Sequence, residues 1–429
     1  MISRLNATAL ATVLVLSGGI APAFADEASE LRAAVTALQK RLDQLEAKAK
    51  EAEDTNDKQT DLIAKTRNSV GAWVGNFTWK GDLRYRNEDI DQEFVQGRNR
   101  DRIRVRAGFV AKINDTLKTE LQLATAEGGD PRSSNQTLTG ENTRKPINLD
   151  LAYVEWQPTA DWKFTGGKMK YPWVRPGQSV LFDGDVNPEG LAVNFGHGGL
   201  FASVFYNILE ERAPSATVKG AESTMAGGQV GYRFNFGSAS KLTLGSSYFS
   251  FNAVQNRNTF FVNSAAGANG NTTKTAGCYY GATVCLTSDY KIWEAFGELG
   301  TTIASRPLTV YVDYANNSEA INDFDTAYSA GVLFGRASDP HTWEIGYVWQ
   351  HVEKDSVFGQ FVDSDFGGGN TDAQGSILKA AYAPARNWTI NATYFLNQTN
   401  IDVPVAIAGH GTVFDRDYKR LQVDLNFKY

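Results

Sequence analysis

The sequence predicts an all-β fold, a 16-stranded antiparallel transmembrane β-barrel preceded by an N-terminal coiled-coil α-helix. Three observations lead there. Apolar and polar residues alternate with a period of two from Asn76 to the last residue. The alternating segments are about ten residues long, the length a tilted strand needs to cross a bilayer. The connections between them sort into tight turns at one end and longer polar loops at the other.

Each element follows in chain order. Residues 1–25 carry a basic start at Arg4, an apolar run "ALATVLVLSGGIAPA" and a small-x-small site "AFA" before Asp26, which is the pattern of a secretory signal. The run is short of the roughly 20 residues a spanning helix needs. Residues 26–66 contain no Gly or Pro and are dense in Ala, Leu, Glu and Lys, all good helix formers. Leu31, Val35, Leu38, Leu42 and Leu45, continued by Ala49 and Ala52, alternate spacings of four and three, the seam of a coiled coil. From Glu27 to Lys65 such a helix extends roughly 60 Å at 1.5 Å per residue. Residues 67–75 read as a linker, and residues 76–429 as the barrel.

Sixteen strands are expected, beginning near Asn76, Asp101, Thr116, Ile147, Asp161, Glu189, Gly199, Met225, Ser240, Tyr290, Pro307, Asp325, His341, Gln374, Asn387 and Asp417. Even-numbered strands are followed by short turns such as "ND" at 114, "GHGG" at 196 and "PARN" at 384. Odd-numbered strands are followed by longer loops, including residues 127–146, 171–188, 252–289, 354–373 and 397–416. The final "LQVDLNFKY" puts Leu421, Val423, Leu425, Phe427 and Tyr429 on one face, so this strand has to pair with the first and turn that face to lipid. Tyr429 then joins an interfacial girdle expected to include Trp79, Trp156, Trp162, Trp293, Trp343 and Trp388.

The stretches "WKGDLRYRNE", "DLAYVEWQP", "WKFTGGKMKYPW" and the terminal "NFKY", together with the strand count, resemble the Gram-negative outer-membrane porins, in particular the putative-porin group related to phosphate-selective porins. The resemblance spans essentially the whole chain after the leader. It implies an outer-membrane location, a homotrimer of water-filled barrels among lipid and lipopolysaccharide, and a third long loop, residues 171–190, folded inward to narrow each pore.

Residue chemistry gives a separate view of the lumen. A sixteen-stranded barrel is wide enough for water, so the polar faces should line it. Arg84, Arg86, Arg102, Arg104, Arg106 and Lys112 fall on the inward rows of the first two strands as a basic patch. Asp183, Asp185 and Glu189 of the third loop are candidate counter-charges, which would set a field across the constriction. The competing reading makes the arginines wall salt bridges to Asp82, Glu88 and Glu120. Carboxylates at Glu155, Glu294, Glu298, Asp313 and Glu344 argue against strong phosphate selectivity and for a weakly selective channel with an anion preference.

Other motifs point elsewhere only weakly. Cys278 and Cys285 in "CYYGATVC" are expected to form a disulfide in an exported chain. "DSDFGGGNTD" offers Asp363, Asp365 and Asp372 to a Ca²⁺ ion, but its spacing fails the EF-hand pattern and a solvated loop is the plainer reading. The four histidines form no H-E-x-x-H motif and no G-x-S-x-G occurs, so no metal or cofactor and no hydrolase chemistry is expected. A net charge of −6 argues against nucleic acid. An alternative function is an envelope tether, in which the helix reaches the peptidoglycan from the periplasm and the barrel is its anchor.

Overall fold

The computed structural model describes residues 24–69, 74–126, 129–213, 222–237, 239–260, 265–279 and 282–429. The leader expected over residues 1–25 lies outside these but for its last two residues. The chain divides into two compact units, Met1–Gly75 and Asn76–Tyr429.

Among the described residues of the first unit a helix, α1, runs over Phe24–Ser69. Its 46 residues give a rod about 69 Å long at 1.5 Å per residue. Val35, Leu38, Leu42 and Leu45 are exposed along it, and the side chain of Leu31 lies outside the described residues.

The second unit is a closed antiparallel barrel of sixteen strands. They are β1 (Phe77–Gln92), β2 (Val95–Lys112), β3 (Leu117–Thr125), β4 (Ile147–Trp156), β5 (Trp162–Lys168), β6 (Glu189–His197), β7 (Leu200–Glu210) and β8 (Ser223–Phe236). They continue as β9 (Ser240–Asn252), β10 (Lys291–Ile303), β11 (Arg306–Asn317), β12 (Thr326–Gly335), β13 (Trp343–Val352), β14 (Ala373–Ala385), β15 (Trp388–Thr399) and β16 (Arg416–Lys428). Each strand pairs with its sequence neighbours, and β16 pairs with β1 from Asp82↔Lys428 to Gln92↔Tyr418. The main-chain groups of Tyr429 exchange hydrogen bonds with Gly81 at 3.0 and 3.1 Å. No sheet edge is left at the seam, as a bilayer requires.

The alternation seen in the sequence sorts the two faces. On β16 Arg420, Gln422 and Asp424 are buried, whereas Leu421, Val423 and Phe427 are exposed on the outer surface. Trp79, Trp156, Trp162 and Tyr429 are exposed near the short-turn end, and Trp293 near the long-loop end, so the aromatic residues form two rims. The short turns use local chemistry: Asn114 Oδ1 accepts from the N–H groups of Thr116 and Leu117, both at 2.9 Å.

One connection departs from expectation. The first odd-to-even connection is not a long loop but a two-residue turn at Glu93 and Phe94, and β2 starts at Val95 instead of near Asp101. The cause is the polar cross-strand ladder Asn87↔Asp101, Glu88↔Arg100 and Asp89↔Asn99, which extends pairing beyond the apolar band that marks strands in sequence.

The long-loop half of the lumen is partly filled. The third loop, residues 169–188, and the seventh, residues 353–372, fold inward and bury Trp173, Val180, Leu181, Phe182, Phe358 and Phe361 against wall residues Phe205, Phe249 and Phe251. Ring centroids lie 4.3 Å apart for Trp173–Phe205, 5.2 Å for Phe182–Phe249 and 4.8 Å for Phe251–Phe358. At about 1.5–3 kcal/mol per buried aromatic side chain, this apolar cluster is what holds the loops inside. The disulfide Cys278–Cys285 is formed within the fifth loop, residues 253–290.

A charge on the outer surface should be costly. Val312→Arg, at the middle of the outward row of β11, is expected to destabilise the folded barrel by about 2–4 kcal/mol in lipid vesicles, measured by reversible urea unfolding; an unchanged midpoint would mean that this row does not meet lipid.

Candidate channel constriction

The third loop is positioned by wall side chains that accept or donate to its backbone. Gln229 on β8 receives the Val174 N–H at 2.7 Å and donates to the Val174 carbonyl at 2.8 Å. Glu298 on β10 accepts from Gly177 at 3.0 Å, and Asp313 on β11 accepts from Val180 at 3.1 Å. Gly177 has φ +35°, and a Cβ there would lie 2.2 Å from the Tyr311 ring, so only glycine lets the loop pass. The loop then meets the seventh loop: Asp183 N–H donates to the Phe361 carbonyl at 2.7 Å, and Ser364 N–H donates to the Asp183 carboxylate at 2.8 Å.

Opposite stands a charged wall on β1, β2 and β16. Because the strands are in register, Asp82↔Arg106, Arg84↔Arg104 and Arg86↔Arg102 sit side by side on the inward face. Adjacent arginines repel unless carboxylates intervene. Asp82 takes Arg104 Nε at 3.0 Å and Arg106 Nε at 2.7 Å. Asp424, brought alongside by barrel closure, holds Arg86 with two bonds of 2.6 and 2.8 Å. Glu88, fully buried, accepts from Arg420 at 2.7 Å and from Arg100, with Arg86 at 3.4 Å and Arg102 at 3.6 Å.

The loops complete the network. Asp365 bridges Arg86 at 3.2 Å and Arg420 at 2.8 Å. Asp185 accepts from Ser134 N and Oγ at 3.1 and 2.9 Å and stands 3.9 Å from both Arg104 and Arg106. Burial alone would push the Asp185 carboxyl up, but Arg104 and Arg106 hold it below the usual range. Asp365 is likewise held low against its burial by Arg420 and Arg86. Asp183 and Asp363 go the other way: burial first, then their carboxylate neighbours, raises both.

Between wall and loops lies a cavity of about 430 Å³. Among the described residues it is lined by six cationic side chains, Arg84, Arg86, Arg104, Arg132, Arg175 and Lys379, and four carboxylates, Asp183, Asp185, Asp363 and Asp365. The lining itself carries two more cations than carboxylates, and behind it Asp424, Glu88, Asp82 and Asp130 pair with Arg84, Arg86, Arg104 and Arg132. Arg84 Nε donates to Asn426 at 2.9 Å and stands 3.6 Å from the Asp424 carboxylate, and Lys379 Nζ donates to the neutral Gln178 at 2.6 Å. Arg175 stacks over the Tyr171 ring at 4.6 Å.

The residues expected from sequence are placed unevenly. Arg84, Arg86, Arg102, Arg104 and Arg106 stand together, as do Asp183 and Asp185. Arg102 and Arg106 belong to the supporting wall rather than the cavity lining: Arg102 donates to the Asn135 carbonyl at 2.9 Å, and Arg106 is held by Asp82. Lys112 is apart from the patch, exposed at the short-turn rim beside Asp115 at 2.8 Å. Glu189 is apart from the constriction, because it is the first residue of β6 and pairs with Lys168 at 2.9 Å. Asp82 and Glu88 are the wall acceptors expected, whereas Glu120 is bonded to Lys80, to Lys170 at 3.1 Å and to Tyr153 at 2.7 Å. The proposed Ca²⁺ ligands are not gathered: Asp363 and Asp365 face the constriction, and Asp372 is bonded to Lys354 at 3.2 Å and to the Asp402 N–H at 2.7 Å.

Arg132, Arg175, Gln178, Lys379 and Arg420 were not singled out from sequence. Arg420 was findable, since its parity on the closing strand and the closure itself bring it beside Glu88. Arg132 and Arg175 lie in irregular loops, where no periodicity marks a direction.

A closed sixteen-stranded cylinder with two aromatic rims, a charged lumen and an inward third loop defines an outer-membrane channel of porin type. Residues 91–285 and 278–429 match the family described as "Putative porin", and the chain belongs to that family. Among solved structures, OprB of Pseudomonas putida, in a high-pH structure, is 11% identical with a TM-score of 0.54, covering 86% of this chain and 97% of that one. OmpF of Salmonella typhi, in complex with daunomycin, is 11% identical with a TM-score of 0.47, covering 82% and 97%. OmpT of Vibrio cholerae, lacking its loop L8, is 14% identical with a TM-score of 0.44, covering 82% and 100%. Curated proteins offer no match.

Glu88 is the charge on which the wall depends. Glu88→Gln leaves several buried arginines short of a carboxylate, and a loss of about 3–5 kcal/mol is expected, read by chemical unfolding in detergent; a variant as stable as the parent would show that the arginines are neutralised elsewhere.

Proposed function

We propose that the chain forms a passive diffusion channel for small hydrophilic solutes and ions, weakly selective with a preference for anions. The observation that carries this is the charge balance of the constriction, six cations against four carboxylates. Cations outnumber carboxylates on the surface that faces the passage, which biases ion entry, and the carboxylates behind the lining hold the bias weak and prevent tight retention of phosphate. The solute passes between the arginine wall and the inward loops.

Acidification should strengthen the preference. Asp183 and Asp363 bind protons at higher pH than ordinary carboxylates, because burial and neighbouring carboxylates disfavour their charge. As pH falls from neutral they neutralise first, and the positive excess grows. Reversal potentials in a KCl gradient are expected to give a chloride-to-potassium permeability ratio above one that rises between pH 7.5 and 5. Arg84→Ala combined with Lys379→Ala should bring the ratio to about one, and Asp183→Asn with Asp363→Asn should raise it and flatten its pH dependence. A parent ratio at or below one would overturn anion preference, and identical ratios above one in all three proteins would show that these residues do not cause it.

The assembly follows from the same reading. The barrels assemble as a homotrimer. The exposed seam of α1 supports a coiled coil in the periplasm joining the three chains, with lipid and lipopolysaccharide around the rest of the barrel.

The length of α1 also favours a second reading, a tether that reaches the peptidoglycan while the barrel conducts. Deleting residues 27–65 should then leave conductance unchanged and abolish co-sedimentation with purified cell-wall sacculi. Equal sedimentation of the shortened and complete chains would exclude the tether.

A further inference from the structure

Four of the charged side chains that line the constriction cavity form no ion pair among the described residues: Arg175, Lys379, Asp183 and Asp363. Two of them are turned to main chain. Arg175 donates to the Phe182 carbonyl, and Asp183 accepts from the N–H groups of Asp185 and Ser364, both at 2.8 Å. Lys379 on β14 and Asp363 in the seventh loop are different, because both stay partly exposed to the cavity and share one neutral partner. The amide of Gln178, from the third loop, lies between them: its oxygen accepts from Lys379 Nζ at 2.6 Å, and its nitrogen donates to the Asp363 carboxylate. Wall, third loop and seventh loop each supply one member, so the group exists only with both loops folded inward.

Neither charge is used up. An ammonium has three donors, and Gln178 takes one; a carboxylate offers about four acceptor positions, and Gln178 and the Asp365 N–H, at 2.8 Å, take two. A solute that bridges Lys379 and Asp363 needs an acceptor and a donor about as far apart as those of an amide. By covalent geometry the oxygen and nitrogen of an amide are about 2.3 Å apart, and the carboxylate oxygen and ammonium nitrogen of an α-amino acid about 2.7 Å. A zwitterionic amino acid therefore fits alongside Gln178, its carboxylate on Lys379 and its ammonium on Asp363. Charge separates it from simpler solutes. An anion at Lys379 is repelled by Asp363, and a cation at Asp363 by Lys379, whereas the zwitterion is attracted by both. Space is ample, since the cavity of about 430 Å³ far exceeds the roughly 150 Å³ that takes up benzene.

We propose that Lys379 and Asp363, spaced by Gln178, form a binding site for zwitterionic α-amino acids within the constriction, and that amino acids with small uncharged side chains are solutes the channel favours. Gln178 acts here as a positioning residue, holding the two charges one amide apart and preventing their direct pairing. Transport of these solutes rests on the channel function proposed above; their binding does not. The arginine wall is separate from this site, because Arg86, Arg104 and Arg132 are engaged by Asp424, Asp82 and Asp130.

The test is a titration of the full chain, folded in detergent at pH 7.5, with L-alanine, followed by saturation-transfer NMR. Propionate, which lacks the ammonium, and ethylammonium, which lacks the carboxylate, are titrated beside it. Saturable alanine binding is expected. Asp363→Asn should weaken alanine about tenfold, the loss of one charge-assisted bond, and strengthen propionate. Lys379→Met should weaken alanine as much and strengthen ethylammonium. The nearly isosteric Asp363→Asn carries the test if Lys379→Met does not fold. Alanine binding that never saturates, or alanine and propionate that respond to Asp363→Asn in the same direction, would overturn the site. In planar bilayers, L-alanine should lower the KCl current saturably in the parent and about tenfold less effectively in Asp363→Asn. A protein that binds alanine in this way but carries no current would contradict the channel and leave the site standing.

Discussion

Closure of the cylinder at β1 and β16 is the constraint from which the rest of the barrel unit follows. The pairing satisfies the last free main-chain groups of the sheet, which lipid cannot do. It also brings Arg420, Gln422 and Asp424 from one end of the barrel sequence against Arg84, Arg86 and Glu88 from the other. The most highly charged part of the wall is thus assembled only when the barrel is complete. Asp424 reaches Arg86 and Glu88 reaches Arg420 across the seam, so the charge pattern that would repel on an open sheet becomes cohesive on a closed one.

The lumen is divided by chemistry. One side is a ladder of guanidinium and carboxylate groups fixed to the wall; the other is an apolar cluster built by the third and seventh loops. The loops cannot be held by the hydrophobic effect alone, since their backbones carry polar groups into the interior. Gln229, Glu298 and Asp313 supply acceptors at the places where the third loop needs them. Two carboxylates that look like pore-lining charges in the sequence are therefore scaffolding: Glu298 and Asp313 each accept one N–H group of the third loop. What remains to face the passage is the six-to-four balance of cations and anions.

Much of this is legible in the sequence. A period of two over sixteen segments is a strong signal because a slip by one residue would turn every charged side chain toward lipid, and the strand starts expected at Ile147, Glu189 and Ser240 coincide with those of β4, β6 and β9. The parity that grouped Arg84, Arg86, Arg102, Arg104 and Arg106 on one face is the parity observed. Glu189 was assigned to the constriction because it follows Asp183 and Asp185, yet β6 begins at that residue and its side chain turns to Lys168. Lys112 shares the arginines' parity but lies beyond them at the rim, where a count by twos carries no information about height. The roles of Asp363 and Asp365 were hidden because inward folding of the seventh loop is set by Phe358, Phe361 and Phe366 finding the aromatic side chains of the third loop and the wall, a contact between distant segments that no local pattern announces.

The conduction claim has one direct measurement, the current through a planar lipid bilayer after addition of the purified, folded full-length chain. A closed cylinder whose narrowest part still holds water predicts abrupt, discrete rises in current of uniform size at constant voltage. Folded protein that inserts and leaves the bilayer as resistive as before would contradict it, and would mean that the inward loops seal the lumen.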